Sequence, residues 1–309
     1  VNPLLGISLK LLSALSFTLM SATIKHVGQE FPTGQIVFFR SFFALVPLIV
    51  WLSLRGEFPA AVRTSNAVGH LRRGLIGSGG MFFGFTALAL LPLTDAIAIG
   101  YAAPLITVVL AAIFLKETVR LYRWTAVAIG FAGVLIMLAP HLGQGIGANV
   151  STSMQATGAI FALLGATCAA GATIEVRRLL ERETTGAIVF YFSILTSLFG
   201  LATIVLGWRQ PTWSEAGLLI MAGMLGGIGQ ILMTQSFRHA DASLIAPFEY
   251  ASMIFAVVLG IVVFDQWPTL AMLIGGSIVA ASGVFVIWRE RKLGLARKRE
   301  AEVSPQRPG

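Results

Sequence analysis

The sequence predicts an all-α integral membrane protein, with ten transmembrane helices forming two inverted five-helix repeats. Three observations predict it: a composition too apolar for water, charge-poor stretches of membrane-spanning length, and fragments that recur in order about half a chain apart. Of 309 residues, 56% are hydrophobic and 12% charged, and mean hydropathy is +0.83. Soluble domains run at about 45–50% apolar and about 25% charged. A soluble enzyme, a disulfide scaffold and a disordered chain are excluded. The single cysteine, Cys168, rules out an intrachain disulfide or a cysteine metal cluster and reads as a small core residue.

A bilayer core needs roughly 20 apolar residues per helix. Spans are accordingly expected at Gly6–His26, Gln35–Leu54, Val68–Leu91, Asp95–Leu115, Tyr122–Pro140, Ala156–Leu179, Gly186–Trp208, Ala216–Phe237, Ala242–Phe264 and Thr269–Trp288. The first is too long for a signal-peptide core and lacks a small-residue cleavage site, so it is expected to stay as an anchor.

Lys and Arg then test the count, because loops should alternate in positive charge. With the amino terminus inside, cytoplasmic loops hold Arg55, Arg63, Arg72 and Arg73, then Lys116, Arg120 and Arg123, then Arg177, Arg178 and Arg182, then Arg238. The tail from Arg289 adds seven more. The other side has only Lys25 and Arg209, while Lys10 and Arg40 lie inside spans. Both termini are therefore expected in the cytoplasm and the protein in the inner (plasma) membrane. Because the net charge of +8 follows the membrane boundary, nucleic acid is not a partner; lipid is. Residues 290–309 form a basic tail that touches anionic lipid or, more simply, is a flank running into disorder.

Ala22-Thr23-Ile24 recurs as Ala172-Thr173-Ile174, and Ile36-Val37-Phe38 as Ile188-Val189-Phe190. Thr94-Asp95-Ala96 matches Ala240-Asp241-Ala242, and Gly133-Val134 matches Gly283-Val284. Residues 1–145 and 146–289 are thus the expected units. Each carries an odd number of spans, so the second enters from the opposite face. Such inversion places a substrate site between the halves near the midplane.

Phe38-Phe39-Arg40-Ser41, the run Asp95-Ala96 through Ala103-Pro104 to Lys116-Glu117, and Asp241-Ala242-Ser243 with Ala246-Pro247-Phe248-Glu249-Tyr250 carry a resemblance. The chain resembles the EamA type of the drug/metabolite transporter superfamily over nearly everything up to the tail. One departure is Gln266, beside Asp265, where the first half has Glu117. The resemblance implies a secondary transporter or facilitator of a small organic metabolite. A riboflavin-type vitamin, a nucleoside-like metabolite such as S-adenosylmethionine and an amino acid derivative all fit, and aromatic content favours a flat heteroaromatic cargo. An intramembrane enzyme and a uniporting channel are the alternatives.

Ionisable groups within hydrocarbon usually face a cavity or a partner. Glu249 is the foremost candidate: it binds a proton, a cation or the substrate, or it pairs with an arginine such as Arg40. Pro247 before it, like Pro104 in the fourth span, opens the helix by removing a backbone hydrogen bond. Small residues along Glu249, Ser252, Ala256 and Gly260 leave room beside the carboxylate. Arg40 clamps an anion, snorkels or caps a helix. Glu175, with Arg177 and Arg178 just beyond, reads as an interfacial ion pair. Tyr101 and Tyr250 occupy similar places in their repeats and stack on a planar cargo or simply pack. Gln230 is a further binding candidate, ahead of Gln235.

Asp95 and Asp241 read as helix N-caps. Gly80 and Gly84 form a packing face, as do Gly276, Ala280 and Gly283, the latter stripe also offering a homodimer contact. Gly77-Ser78-Gly79-Gly80 lacks the ending of a nucleotide loop. His26, His70, His141 and His239 lie near loops without metal-ligand spacing. No catalytic set, cofactor or metal is expected, and an enzyme is not.

Overall fold

The structure, a computed structural model, describes residues 3–114, 116, 120–142, 150–179, 181–239 and 246–303. Every regular element among the described residues is helical. The first half contains α1 (Pro3–Val27), α2 (Thr33–Leu54), α3 (Ala67–Leu90), α4 (Leu93–Gly100), α5 (Ala102–Phe114) and α6 (Leu121–Leu142). The second contains α7 (Val150–Leu179), α8 (Thr185–Ala202), α9 (Trp213–His239), α10 (Ala251–Phe264) and α11 (Leu270–Val303). Short 3-10 turns cover Thr203–Leu206 and Ala246–Tyr250. Nine helical stretches of the described residues are long and apolar enough to cross a bilayer, counting Leu93–Phe114 as one, and Phe248–Phe264 is a shorter tenth.

The fourth span differs from the single helix expected from Asp95 to Leu115. It starts at Leu93, breaks at Tyr101 and resumes at Ala102. Pro104 is the cause: it has no amide to offer the carbonyl of Gly100, and its ring crowds that carbonyl. In the second half, Pro247 lies in the 3-10 turn that precedes α10. α11 also runs on to Val303, so the basic tail begins as helix; Pro305 and Pro308, where disorder is expected, lie outside the described residues.

Trp51, Trp124 and Trp288 sit near one end of the bundle, and Trp208, Trp213 and Trp267 near the other. Indoles prefer the headgroup level. Between these belts α2 alone spans ~33 Å at 1.5 Å per residue, and Val205, Leu206, Val262 and Leu270 are among the exposed apolar residues. The end holding residues 54–66 and 181–184 is the basic face.

Helix packing maps onto itself when the halves exchange. α1 packs chiefly on α9, and its counterpart α7 packs chiefly on α3. α2 faces α8, and α6 faces α11. Lipid gives helices no hydrophobic reason to associate, so close backbone approach and polar contacts must hold them. A Cβ added to Gly165 of α7 would meet the Gly84 amide nitrogen at 3.1 Å, so α3 and α7 cross through glycine. Ser13 and Ser16 of α1 donate to the carbonyls of Gly229 and Leu225 in α9, each at 2.8 Å. The Gly276 and Gly283 stripe is likewise occupied within the chain, by Met253 and by the Tyr250 hydroxyl. The stripe thus serves packing within the chain.

Candidate functional site

Between the halves lies a cavity of about 1160 Å³. Lys10, Ser13, Ala14, Phe17 and Met20 line it from α1, at the spacing of one helix face. Arg40 reaches it from α2, Arg73 and Gly77 from α3, Tyr101 and Pro104 from the broken fourth span, and Gln230 from α9. Glu249 and Ser252 complete it from the ninth span. A side recess of about 370 Å³ shares Arg40, Arg73 and Gln230 with it. That recess continues past Leu48, Val189 and Thr234 into a third hollow bounded by Glu57, Ala60 and Thr184 on the basic face. The space therefore reaches toward that face.

The other end is plugged. Ile24, Val37, Leu93, Leu219 and Ala256 are 0% exposed. Above them lies a buried polar cluster: Asp95 Oδ2 is 3.1 Å from His141 Nε2, and the Asp95 charge also acts on Lys25. Lys25 Nζ donates to the carbonyls of Leu88 and Leu91. Gln266 Oε1 accepts from the Leu93 amide at 3.2 Å, tying the second half to the start of α4. Asp95 is thus not an N-cap; Pro92 holds that position, and the carboxylate is turned to His141. Asp241 and Glu117 lie outside the described residues.

Glu249 pairs with Lys10, Oε2 to Nζ 3.6 Å, rather than with Arg40. Its side chain is 57% exposed, whereas that of Lys10 is 5% exposed. Arg40 does not snorkel: it is 8% exposed, deep in the bundle, with Nε unpartnered. Arg73 lies over the Phe192 ring, its Cζ 4.0 Å from the centroid. Glu175 pairs with Arg178 at 2.8 Å and with Arg72 at 3.2 Å, joining α7 to α3; Arg177's side chain is outside the described set.

Tyr101 and Tyr250 do come together, but against each other, with ring centroids 5.0 Å apart. No slot for a planar cargo remains between them. The Tyr101 hydroxyl bonds to Ser252 Oγ and to the Glu249 carbonyl, so it braces the turn that carries Glu249. The Tyr250 hydroxyl is seated over Gly283 of α11.

Sequence reasoning missed Lys10, and it assigned Arg73 and Arg123 to loops although both line the cavity. Lys10 was findable, since it shares a helix face with Ser13 and Phe17. Arg73 was not, because its neighbour Arg72 pairs with Glu175 and only tertiary packing separates their fates. His70 was also more than a loop residue: it is 2% exposed, beside Glu183 at 3.5 Å. Among the described residues no three His, Cys, Asp or Glu are grouped to hold a metal ion.

Two head-to-tail sets of spanning helices enclosing a polar chamber define a multi-pass membrane transporter of inverted-repeat type. The model of the EamA-like transporter family matches residues 4–139 and again 156–289. The chain belongs to that family, within the drug/metabolite transporter superfamily. It is 28% identical over 292 residues to an S-adenosylmethionine uptake transporter of Rickettsia bellii, covering 93% of this chain and 95% of the relative. It is 29% identical over 279 residues to the pseudopaline exporter CntI of Pseudomonas aeruginosa, covering 90% and 94%. A riboflavin transporter of Vibrio cholerae is 25% identical over 296 residues, covering 94% and 96%. A solved crystal structure, 21% identical, superposes with a TM-score of 0.62 over 91% of this chain and 98% of its own, which supports the fold.

Proposed function

We propose that the protein is a secondary transporter or facilitator of the inner membrane, with both termini cytoplasmic, that moves a small organic metabolite by alternating access. Units 1–145 and 146–289 are the two parts that rock. The observation that carries this is the cavity itself: it lies between the halves, holds charged and amide groups within apolar walls, and is stopped at one end only. Sites of this kind occur where inverted repeats meet. With the basic face inside, the conformation is inward-facing, and the Lys25, Asp95, His141 and Gln266 contacts are the closed outer end.

In this reading Arg40 and Gln230 contact cargo, Tyr101 positions the Glu249 turn, and Pro104 and Pro247 supply the helix breaks that let backbone line the cavity. Tyr250 supports Tyr101 from behind, and Glu175 holds α7 to α3. Glu249 with Lys10 is the candidate coupling site for a proton or cation. The relatives' cargoes support a vitamin, a nucleoside-like metabolite or an amino acid derivative.

The test is uptake of labelled S-adenosylmethionine, riboflavin and amino acids into proteoliposomes, with counterflow. Saturable uptake that accelerates against preloaded unlabelled cargo is expected. Uptake without counterflow would mark a pore, and product formation without translocation an enzyme.

A further inference from the structure

We infer that Arg40 and Arg73 together receive an anionic group of the cargo, a carboxylate or a phosphate. The inference rests on the carrier reading of the cavity and adds the chemical class of what enters it.

Both side chains line the main cavity and its side recess, and each repels the other's charge. Arg40 Nε and Arg73 Nε and Nη1 are buried with no hydrogen-bond partner. Carboxylates nearby are engaged elsewhere: Glu249 with Lys10, Glu175 with Arg72 and Arg178, Glu183 with Thr64, Ser65 and His70, Asp95 with His141.

A guanidinium does not escape burial by losing its proton, because it stays charged in proteins. Two cations facing one chamber, one buried and one half-buried, with buried nitrogens left unpaired, are therefore unfavourable unless something brings negative charge. The backbone is cut to hold them there. A Cβ on Gly226 would sit 3.1 Å from Arg40 Nε, and one on Gly77 would collide with Arg73 Nη1. Phe192 sits against the Arg73 guanidinium, whose fork of donors matches carboxylate and phosphate oxygens. Phe17, Met20, Met81 and Phe85 surround the rest of the chamber, so the fitting cargo is an amphipathic organic anion.

The full chain, purified in a maltoside detergent that carries no lipid phosphate, is melted with matched probes. These are indole-3-acetate against indole-3-acetamide, and phenyl phosphate against phenol. At least one anion of the set is expected to raise Tm in the millimolar range while its neutral partner does not. Adding phosphatidylglycerol in a separate arm shows whether a lipid phosphate is the occupant instead of a soluble anion; competition by that lipid with no response to the soluble anions would overturn the cargo assignment. Arg40→Gln and Arg73→Gln should weaken the response at least tenfold while leaving the unliganded Tm unchanged or higher, since each removes an uncompensated charge. A lower unliganded Tm in both variants would make the arginines structural and overturn the inference, as would an anion response equal to wild type. Transport of neutral riboflavin that the anions do not inhibit would keep the carrier and reject the anion receptor.

Discussion

Replacing Asp95 by Asn should loosen the plugged end of the bundle. Asp95, Lys25 and His141 are 4%, 6% and 6% exposed, and they come from α4, α1 and α6. Asn keeps the shape but removes the charge that offsets Lys25. Asp95 acts on Lys25 at a distance, and losing a buried polar interaction with a charged group costs about 1.5–3 kcal/mol. If the lower figure falls on the closed state alone, the closed-to-open ratio falls about tenfold, at 1.4 kcal/mol per decade. The assay uses Ile97→Cys, in the cavity lining and two residues from Asp95 along α4, in a Cys168→Ser background, with a membrane-impermeant maleimide added from the side opposite the termini. Labelling should rise about tenfold with Asp95→Asn. Equal labelling with a normal melting curve would refute the idea that this cluster holds the end shut.

Glu249→Gln should flatten the pH dependence of uptake, and an unchanged profile in vesicles would remove Glu249 from coupling. Tyr101→Ala and Tyr250→Ala should be non-additive in unfolding, with a coupling of about 0.5–1.5 kcal/mol from the ring contact, and additivity would mean the rings act separately. Burial works to raise the pKa of Glu183, but hydrogen bonds from Ser65 and Thr64, with His70 beside them, outweigh it and hold it below 4.5. Its stabilisation is therefore complete above pH 4.5 and lost as pH falls through the depressed folded value. Melting curves of Glu183→Gln should lack that acid-side decline, whereas a wild-type decline would place the titration elsewhere.

Hydropathy is a local property, and it is what a bilayer reads. The ten spans, their alternation in charge and the inversion of the halves were therefore legible along the chain, residue by residue. So were Glu249, Gln230 and Pro104 as unusual residues in apolar surroundings. Their partners were not. Lys10 meets Glu249, Tyr101 meets Tyr250 and Asp95 meets His141 across long stretches of sequence, and nothing in the spacing of one span tells which side chain of another will face it. The small-residue stripe of α11 shows the same limit, since a packing face is visible in sequence but its occupant is not. Arg72 and Arg73 show it most sharply: adjacent in the chain, they point to different neighbours because successive residues on a helix lie about 100° apart. Only the tertiary structure decided that one joins α7 and the other enters the chamber.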